Sequence, residues 1–104
     1  MAKRDQYISL EQLPNVGPAT AADLRLLGIR RPGDLIGRDP YVMYERLCRK
    51  TGQRHDPCVI DTFISVVRFM NGAPERPWWA YTAERKRTLN AVPGKKRNQK
   101  KPGR

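Results

Sequence analysis

Residues 10–29, LEQLPNVGPATAADLRLLGI, decide how the chain is organised, because they predict a short helix, a tight turn and a second helix. Asn15 and Gly17 are residue types that readily adopt a positive φ, which predicts the turn. Pro18 has the φ angle of a first helical position and lacks the amide proton that would be unpaired there. The residues after it favour a helix, which Gly28 is predicted to end.

The pattern of this stretch resembles the helix-hairpin-helix motif, in which hydrophobic and small residues precede Gly, Pro and an Ala-rich helix. The residues that carry the resemblance are Leu13, Asn15, Val16, Gly17, Pro18, Ala21, Ala22 and Leu24. Two positions depart from the motif. Asn15 stands where a first Gly is common, and Ala19 stands where Lys or Arg often follows the Pro.

The resemblance implies a site for one DNA phosphate, because a helix N-terminus offers unpaired N–H groups and a partial positive charge. Position by position, the donors that it implies are the backbone amides of Val16, Gly17, Ala19 and Thr20. It also implies a monovalent cation on backbone carbonyls, those of Glu11, Leu13 and Val16. The alternative is a plain αα-hairpin whose turn only packs two helices together.

Charge is unevenly distributed along the 104 residues, whose net charge is +11. Residues 1–82 contain 12 basic and 9 acidic residues, whereas residues 83–104 contain 9 basic residues and one Glu. This excess favours a nucleic acid or an anionic membrane as partner, and the basic end lacks the apolar anchors that a membrane would require. The start of the chain lacks the pattern of a signal peptide, so the expected location is the cytoplasm, associated with the nucleoid.

Further helix starts are marked by short local signals. Ser9 and Gln12 have the spacing of a capping box, and Asp-Pro pairs at Asp39 and Asp56 predict the starts of two longer helices. The second of these, residues 57–70, is apolar on most sides, which is typical of the central helix of a small bundle. Its polar residues form one stripe, namely Asp61, Thr62, Ser65 and Arg68.

The C-terminal part predicts a change from folded domain to tail. We place a helical domain at residues 8–82 and a basic, largely disordered tail at residues 83–104, because residues 92–104 contain almost no apolar side chains. The tail contains a basic arm, predicted to add loose electrostatic affinity, made of Lys95, Lys96, Arg97, Lys100 and Lys101.

Three residues of types that bind metals or act in catalysis lie close together in sequence, namely Cys48, His55 and Cys58. Three ligands do not complete a structural zinc site, so we interpret them as two buried thiols and a loop His, and we expect no metal or other cofactor. Cys58, near Asp56 at a helix start, has the position of a thiol with a lowered pKa. No other pattern of catalytic residues is present, and we do not expect an enzyme.

Trp78, Trp79 and Tyr81 follow the predicted central helix. The rings either cover the open end of a small core or stack on unpaired bases, and packing is the favoured interpretation. An exposed Trp pair would also suit a protein partner. Arg25, Arg30 and Arg31 follow the turn and are expected to contact flanking phosphates, with a solvated face as the alternative.

A second resemblance covers most of the chain, from about Leu10 to Arg87. The run RHDPCVIDTFISVVRFMNG, residues 54–72, followed by RPWW, resembles a small bacterial helix-hairpin-helix family described as pathogenicity locus or mitomycin resistance proteins. The N-terminal hairpin also resembles the C-terminal domain of the competence regulator TfoX. This resemblance implies a compact five-helix, SAM-like all-α domain with a role at DNA.

Together these patterns predict a protein that binds DNA, most simply double-stranded DNA, without base specificity, and that is linked to the response to DNA damage. The main alternative is a protein-interaction adaptor or dimerisation module on the same scaffold, with Trp78 and Trp79 at its contact surface. RNA binding is a third reading, which the residues alone do not separate from DNA binding.

Overall fold

The computed structural model of the protein describes residues 6–91, which form four α-helices and three short 3-10 helices. The α-helices are α1 (Pro18–Leu26), α2 (Pro40–Thr51), α3 (Cys58–Met70) and α4 (Thr82–Ala91). The 3-10 helices are Leu10–Gln12, Pro32–Leu35 and Trp78–Tyr81. These residues include no β-strand, so the predicted all-α class is confirmed.

The expected count of five helices is not confirmed. The segments Leu10–Gln12 and Pro32–Leu35 are 3-10 helices of three and four residues. Conversely, Thr82 begins an α-helix of ten residues where the sequence predicts the end of the domain and the start of a largely disordered tail. Short segments closed by proline on one side do not reach the length of a stable α-helix, and they tighten into 3-10 geometry instead.

Helix α3 is the centre of the domain, as its apolar pattern predicts. Nine of its thirteen residues are buried, and Phe63, Ile64 and Val66 are almost completely inaccessible to solvent. It packs against α2, α4 and the 3-10 helices Pro32–Leu35 and Trp78–Tyr81. A helix surrounded in this way needs an apolar surface on most sides, which agrees with its sequence.

Two of the predicted helix caps, Ser9 and Asp39, are present, whereas the N-cap position of α3 is Pro57, one residue after the predicted Asp56. Ser9 and Gln12 form the capping box, in which the Gln12 side chain accepts from the Ser9 amide at 2.8 Å. The Asp39 carboxylate accepts from the Tyr41 amide at 2.8 Å, and the Asp56 carboxylate accepts from the Cys58 amide at 2.9 Å. These local signals therefore position the starts of the helices.

Helix α4 is fastened to α3 by a buried ion pair. Asp61, which is fully buried, accepts from Arg85 Nε at 2.9 Å and Nη2 at 3.3 Å, and from the Thr82 hydroxyl at 2.7 Å. Next to it, the Arg68 guanidinium pairs with the Glu84 carboxylate. Two residues of the polar stripe of α3, Asp61 and Arg68, thus hold α4 in place.

The helical structure consequently continues beyond residue 82, where the sequence predicts that the tail begins. Residues 83–91 of that segment belong to α4, and its first part packs on the core. The basic arm, Lys95, Lys96, Arg97, Lys100 and Lys101, lies outside the described residues.

Candidate nucleic-acid interface

The turn between Leu10–Gln12 and α1 reverses the chain at residues 13–17, and we refer to it as the N-terminal turn. Asn15 has φ +70°, the left-handed conformation predicted for it. Gly17 does not: its φ is −98° and its ψ is −174°, so the prediction of a positive φ at this residue is wrong. Gly17 occupies the N-cap of α1, a position that takes extended backbone angles.

The start of α1 leaves backbone amides open to solvent. The first amide of the helix with a backbone partner is that of Ala21, which donates to the Gly17 carbonyl at 2.9 Å. Within residues 6–91, no hydrogen bond engages the amides of Gly17, Ala19 or Thr20, and no side chain caps the helix. Gly17, Pro18 and Ala19 are exposed, so an anion has access to these amides.

Val16 differs from the other three predicted donors. Its amide donates to the Leu13 carbonyl at 3.3 Å, and its side chain is buried in the core. The same hydrogen bond occupies one lone pair of the Leu13 carbonyl, which was predicted to hold a monovalent cation with Glu11 and Val16. A carbonyl oxygen has a second lone pair, so the bond leaves Leu13 able to coordinate.

Asn15 fixes the N-terminal turn to two distant parts of the chain. Its side-chain amide donates to the Ser65 hydroxyl of α3 at 3.2 Å and to the Arg76 carbonyl at 2.8 Å. Ser65 in turn donates to the Thr62 carbonyl at 2.6 Å. The turn is therefore held against the segment that leads into the Trp pair, an arrangement that the sequence does not reveal.

The three arginines predicted to contact flanking phosphates have different surroundings. Arg25 donates to both carboxylate oxygens of Glu11, at 3.1 and 3.3 Å, and its side chain is half exposed. The hydrogen bonds from Arg25 and Ser9 lower the pKa of Glu11 to about 2. Arg25 is thus already paired with an anionic group of its own chain.

Arg30 and Arg31 are exposed, and within the described part of the chain neither guanidinium forms an ion pair. Their backbone amides donate to the Asp34 carboxylate at 3.0 and 3.2 Å, which lowers the pKa of Asp34. The two residues follow the C-terminal end of α1, a helix of nine residues that is about 13 Å long by its rise per residue. They therefore follow the end of α1 that is opposite to the open amides.

The three aromatic side chains after α3 differ in how deeply they are buried. Tyr81 is buried, Trp78 is half-buried and Trp79 is 63% exposed. The Trp78 and Trp79 rings meet edge to face, with centroids 5.5 Å apart and planes at 85°. Packing on the core, the favoured interpretation, therefore holds for Tyr81 and partly for Trp78, but it does not account for Trp79.

The cysteines and the histidine form no metal centre. Cys48 and Cys58 are free thiols, and the His55 ring hydrogen-bonds to the Thr51 hydroxyl at 2.8 Å. Among residues 6–91, no three His, Cys, Asp or Glu side chains are grouped so that they could hold a metal ion. The prediction of a lowered pKa at Cys58 is wrong, because its hydrogen bond with the Asp56 carboxylate raises that pKa.

No helix within residues 6–91 has the length and apolar composition needed to cross a membrane.

Comparison with known proteins matches residues 3–87 to the family described as pathogenicity locus. The chain belongs to the pathogenicity locus family. Mitomycin resistance protein McrB from Streptomyces lavendulae, a relative, is 48% identical over 80 residues, which cover 77% of this chain and 76% of the relative. No solved structure matches the chain. The match to the pathogenicity locus family extends to residue 87, so it includes the start of α4 with Thr82 and Arg85.

Proposed function

We propose that this protein binds DNA without base specificity, through a helix-hairpin-helix motif formed by Leu10–Gln12, the N-terminal turn and α1. The observation that supports the proposal is the open first turn of α1, where the amides of Gly17, Ala19 and Thr20 have no partner within residues 6–91. Such amides, together with the helix dipole, favour one phosphate group. Contacts to phosphates position a protein on DNA but carry no sequence information.

Positive side chains would extend the contact to neighbouring phosphates. Arg30 and Arg31 are exposed and unpaired within the described residues, whereas Arg25 would have to exchange the Glu11 carboxylate for a phosphate. The basic arm at Lys95, Lys96, Arg97, Lys100 and Lys101 would add affinity without fixed geometry. If about four phosphates are neutralised, log K should fall against log salt with a slope near −3.6.

A monovalent cation fits the same proposal. The carbonyls of Glu11, Leu13 and Val16 are neutral oxygen donors, and Leu13 retains a lone pair beside its bond to the Val16 amide. A cation there would add positive charge close to the phosphate. The oxygen donors are backbone groups, so no side chain of the turn is needed to hold it.

The name of the McrB relative indicates the cellular process in which the proposed DNA binding would take part. A relative from Streptomyces lavendulae that is named mitomycin resistance protein McrB is 48% identical to this chain over 80 residues. We extend that link to this protein as a role in the response to DNA damage. Binding without base specificity suits such a role, because damage occurs at any sequence.

The deciding experiment places a charge at the start of α1 without disturbing the fold. A Cβ at Gly17 would meet no atom within 4 Å, and the extended backbone there accepts any residue. Gly17→Asp would cap the helix and put a carboxylate where the phosphate binds, whereas Gly17→Asn provides the same shape without the charge. Gly17→Ala leaves the amides free and serves as the second control.

The measurement is fluorescence anisotropy of a labelled duplex, titrated with the full chain at several salt concentrations. We expect Gly17→Asp to bind about tenfold more weakly than Gly17→Asn at low salt, and Gly17→Ala to bind like the unmodified protein. Asp and Asn variants that both bind as tightly as Gly17→Ala would exclude the turn as the phosphate site, because both side chains would cover the amides. If deletion of residues 92–104 then abolished binding, the basic arm alone would account for the affinity.

A second function, a protein-interaction adaptor, is favoured by the exposure of Trp79. That reading predicts no salt-dependent DNA binding by the full chain, and therefore no effect of a carboxylate at Gly17. Competition of the labelled duplex with structured RNA at fixed salt separates DNA binding from RNA binding in the same assay.

A further inference from the structure

The N-terminal turn is hydrogen-bonded to the segment that leads into the Trp pair, although the turn and the pair are more than 60 residues apart in sequence. The link is the Asn15 side chain, which donates to the Arg76 carbonyl at 2.8 Å across a separation of 61 residues. Gly17 is two residues from Asn15, and Trp79 is three residues from Arg76. Because a chain extends at most about 3.5 Å per residue, both groups lie within the span of a few nucleotides.

Most of the Trp79 side chain is not packed against the rest of the domain. Its side chain is 63% exposed, whereas Trp78 and Tyr81 on the same 3-10 helix are half-buried and buried. Trp78 meets it edge to face, so a partly buried ring supports the exposed one. Trp79 therefore has aromatic surface available for a contact made outside the fold.

The charges around Trp79 favour a nucleic acid over a protein. Arg76, Lys86 and Arg87 are exposed, and within residues 6–91 none of them forms an ion pair. Helix α4, which carries Lys86 and Arg87, continues directly from the 3-10 helix that carries Trp79. The nearby acidic residues are Glu84, which is paired with Arg68, and Glu75, so cations are in excess.

We propose that Trp79 is a stacking platform for an unpaired nucleobase of the strand whose phosphate binds at the N-terminal turn. The preferred substrate is then DNA with exposed bases, such as a gap or a single strand, rather than fully paired duplex. Aromatic rings stack on any base, so the contact needs no sequence specificity. The inference rests on the proposed function and adds the class of DNA to it.

The test compares two labelled probes, a fully paired duplex and the same duplex with a short single-stranded gap, by fluorescence anisotropy with the full chain. We expect tighter binding of the gapped probe. Trp79→Ala should weaken that binding about tenfold, given the range measured for base stacking on aromatic residues, and should change binding of the paired duplex less than about twofold. Trp79→Phe keeps a ring and should retain most of the affinity for the gap.

A matched control is Val42→Ala, which removes another exposed apolar side chain, 53% accessible, on α2. It should alter neither affinity. A second readout uses Trp78→Phe, in which Trp79 is the remaining indole: addition of oligothymidylate should quench its fluorescence. This readout does not depend on the folding of the alanine variant.

The outcomes separate the two proposals. If the unmodified protein binds paired and gapped DNA equally and Trp79→Ala changes neither affinity, the stacking platform is excluded while the phosphate site stands. If Trp79→Ala weakens both probes by the same factor, the ring does not contact a base. If the protein binds neither probe in a salt-dependent way, both proposals fail and Trp79 is better explained as a contact for a protein.

Discussion

Helix α4 is predicted to depend on a single buried ion pair, and Arg85→Met removes half of it. The Asp61 carboxylate is fully buried and accepts two hydrogen bonds from Arg85 and one from Thr82. Met preserves most of the length of the side chain, so the substitution removes the charge and leaves the carboxylate with Thr82. Breaking a buried pair in this way costs about 3–5 kcal/mol.

That cost is large for a domain of this size. The 86 described residues, at about 0.05–0.15 kcal/mol each, give a free energy of unfolding of roughly 4–13 kcal/mol. We therefore expect Arg85→Met to bring the domain close to its stability limit. Urea denaturation followed by circular dichroism measures the change, and the two Trp residues beside α4 provide a fluorescence signal from the same region.

The double variant Asp61→Leu with Arg85→Met is the control, because it removes both charges together. It should be more stable than Arg85→Met alone, since no unpaired carboxylate remains in the core. A loss of less than about 0.5 kcal/mol for Arg85→Met, the size of an ordinary surface substitution, would refute the docking of α4 described above.

Three further predictions follow from the charges and the turn. Glu11→Gln should free Arg25 and strengthen DNA binding at low salt in the anisotropy titration. The slope of log K against log salt should become steeper by about 0.9. An unchanged slope would mean that Arg25 contacts no phosphate. Asn15→Ala should lower the free energy of unfolding, measured in urea, by about 2 kcal/mol, because it removes two hydrogen bonds and strains a residue with positive φ. Asn15→Gly should lower it by about 1 kcal/mol less, because Gly accepts that angle. Equal losses of stability in the two variants would contradict the strain. The pKa values of Glu11 and Glu84 are lowered by their arginine partners in the folded state, so as pH falls these carboxylates bind protons in the unfolded state first. The stability of the fold should therefore decrease as pH drops below about 4.5. A melting temperature that is the same at pH 3 and pH 6 would contradict this.

Local signals in the sequence predict the helix boundaries well. Asp39 caps α2 and Pro18 begins α1 as expected, because a cap or a first-turn proline acts on the residues next to it. The buried position of α3 also follows from its composition. Each of these features is decided within a few residues of the amino acid that signals it.

Features that depend on distant partners are those that the sequence does not reveal. The polar stripe of α3 indicates that one face of this helix is not part of the apolar core. It does not reveal that Arg85, 24 residues away, pairs with Asp61. For the same reason, the sequence does not show which residue of the N-terminal turn has the positive φ. Within this turn Asn15 has the positive φ and its side chain is held by Ser65 and Arg76, whereas Gly17 has the extended angles of a helix cap.

The bond between Asn15 and the Arg76 carbonyl also bears on how the protein is made. While the ribosome is still synthesising α2 and α3, the acceptor for this bond has not been translated, so the N-terminal turn lacks this one of its anchors. Long-range contacts of this kind slow folding, because the intervening chain must be ordered before they form. The turn should therefore reach its final shape only after translation has passed Arg76, so nascent chains that stall earlier would lack a finished turn.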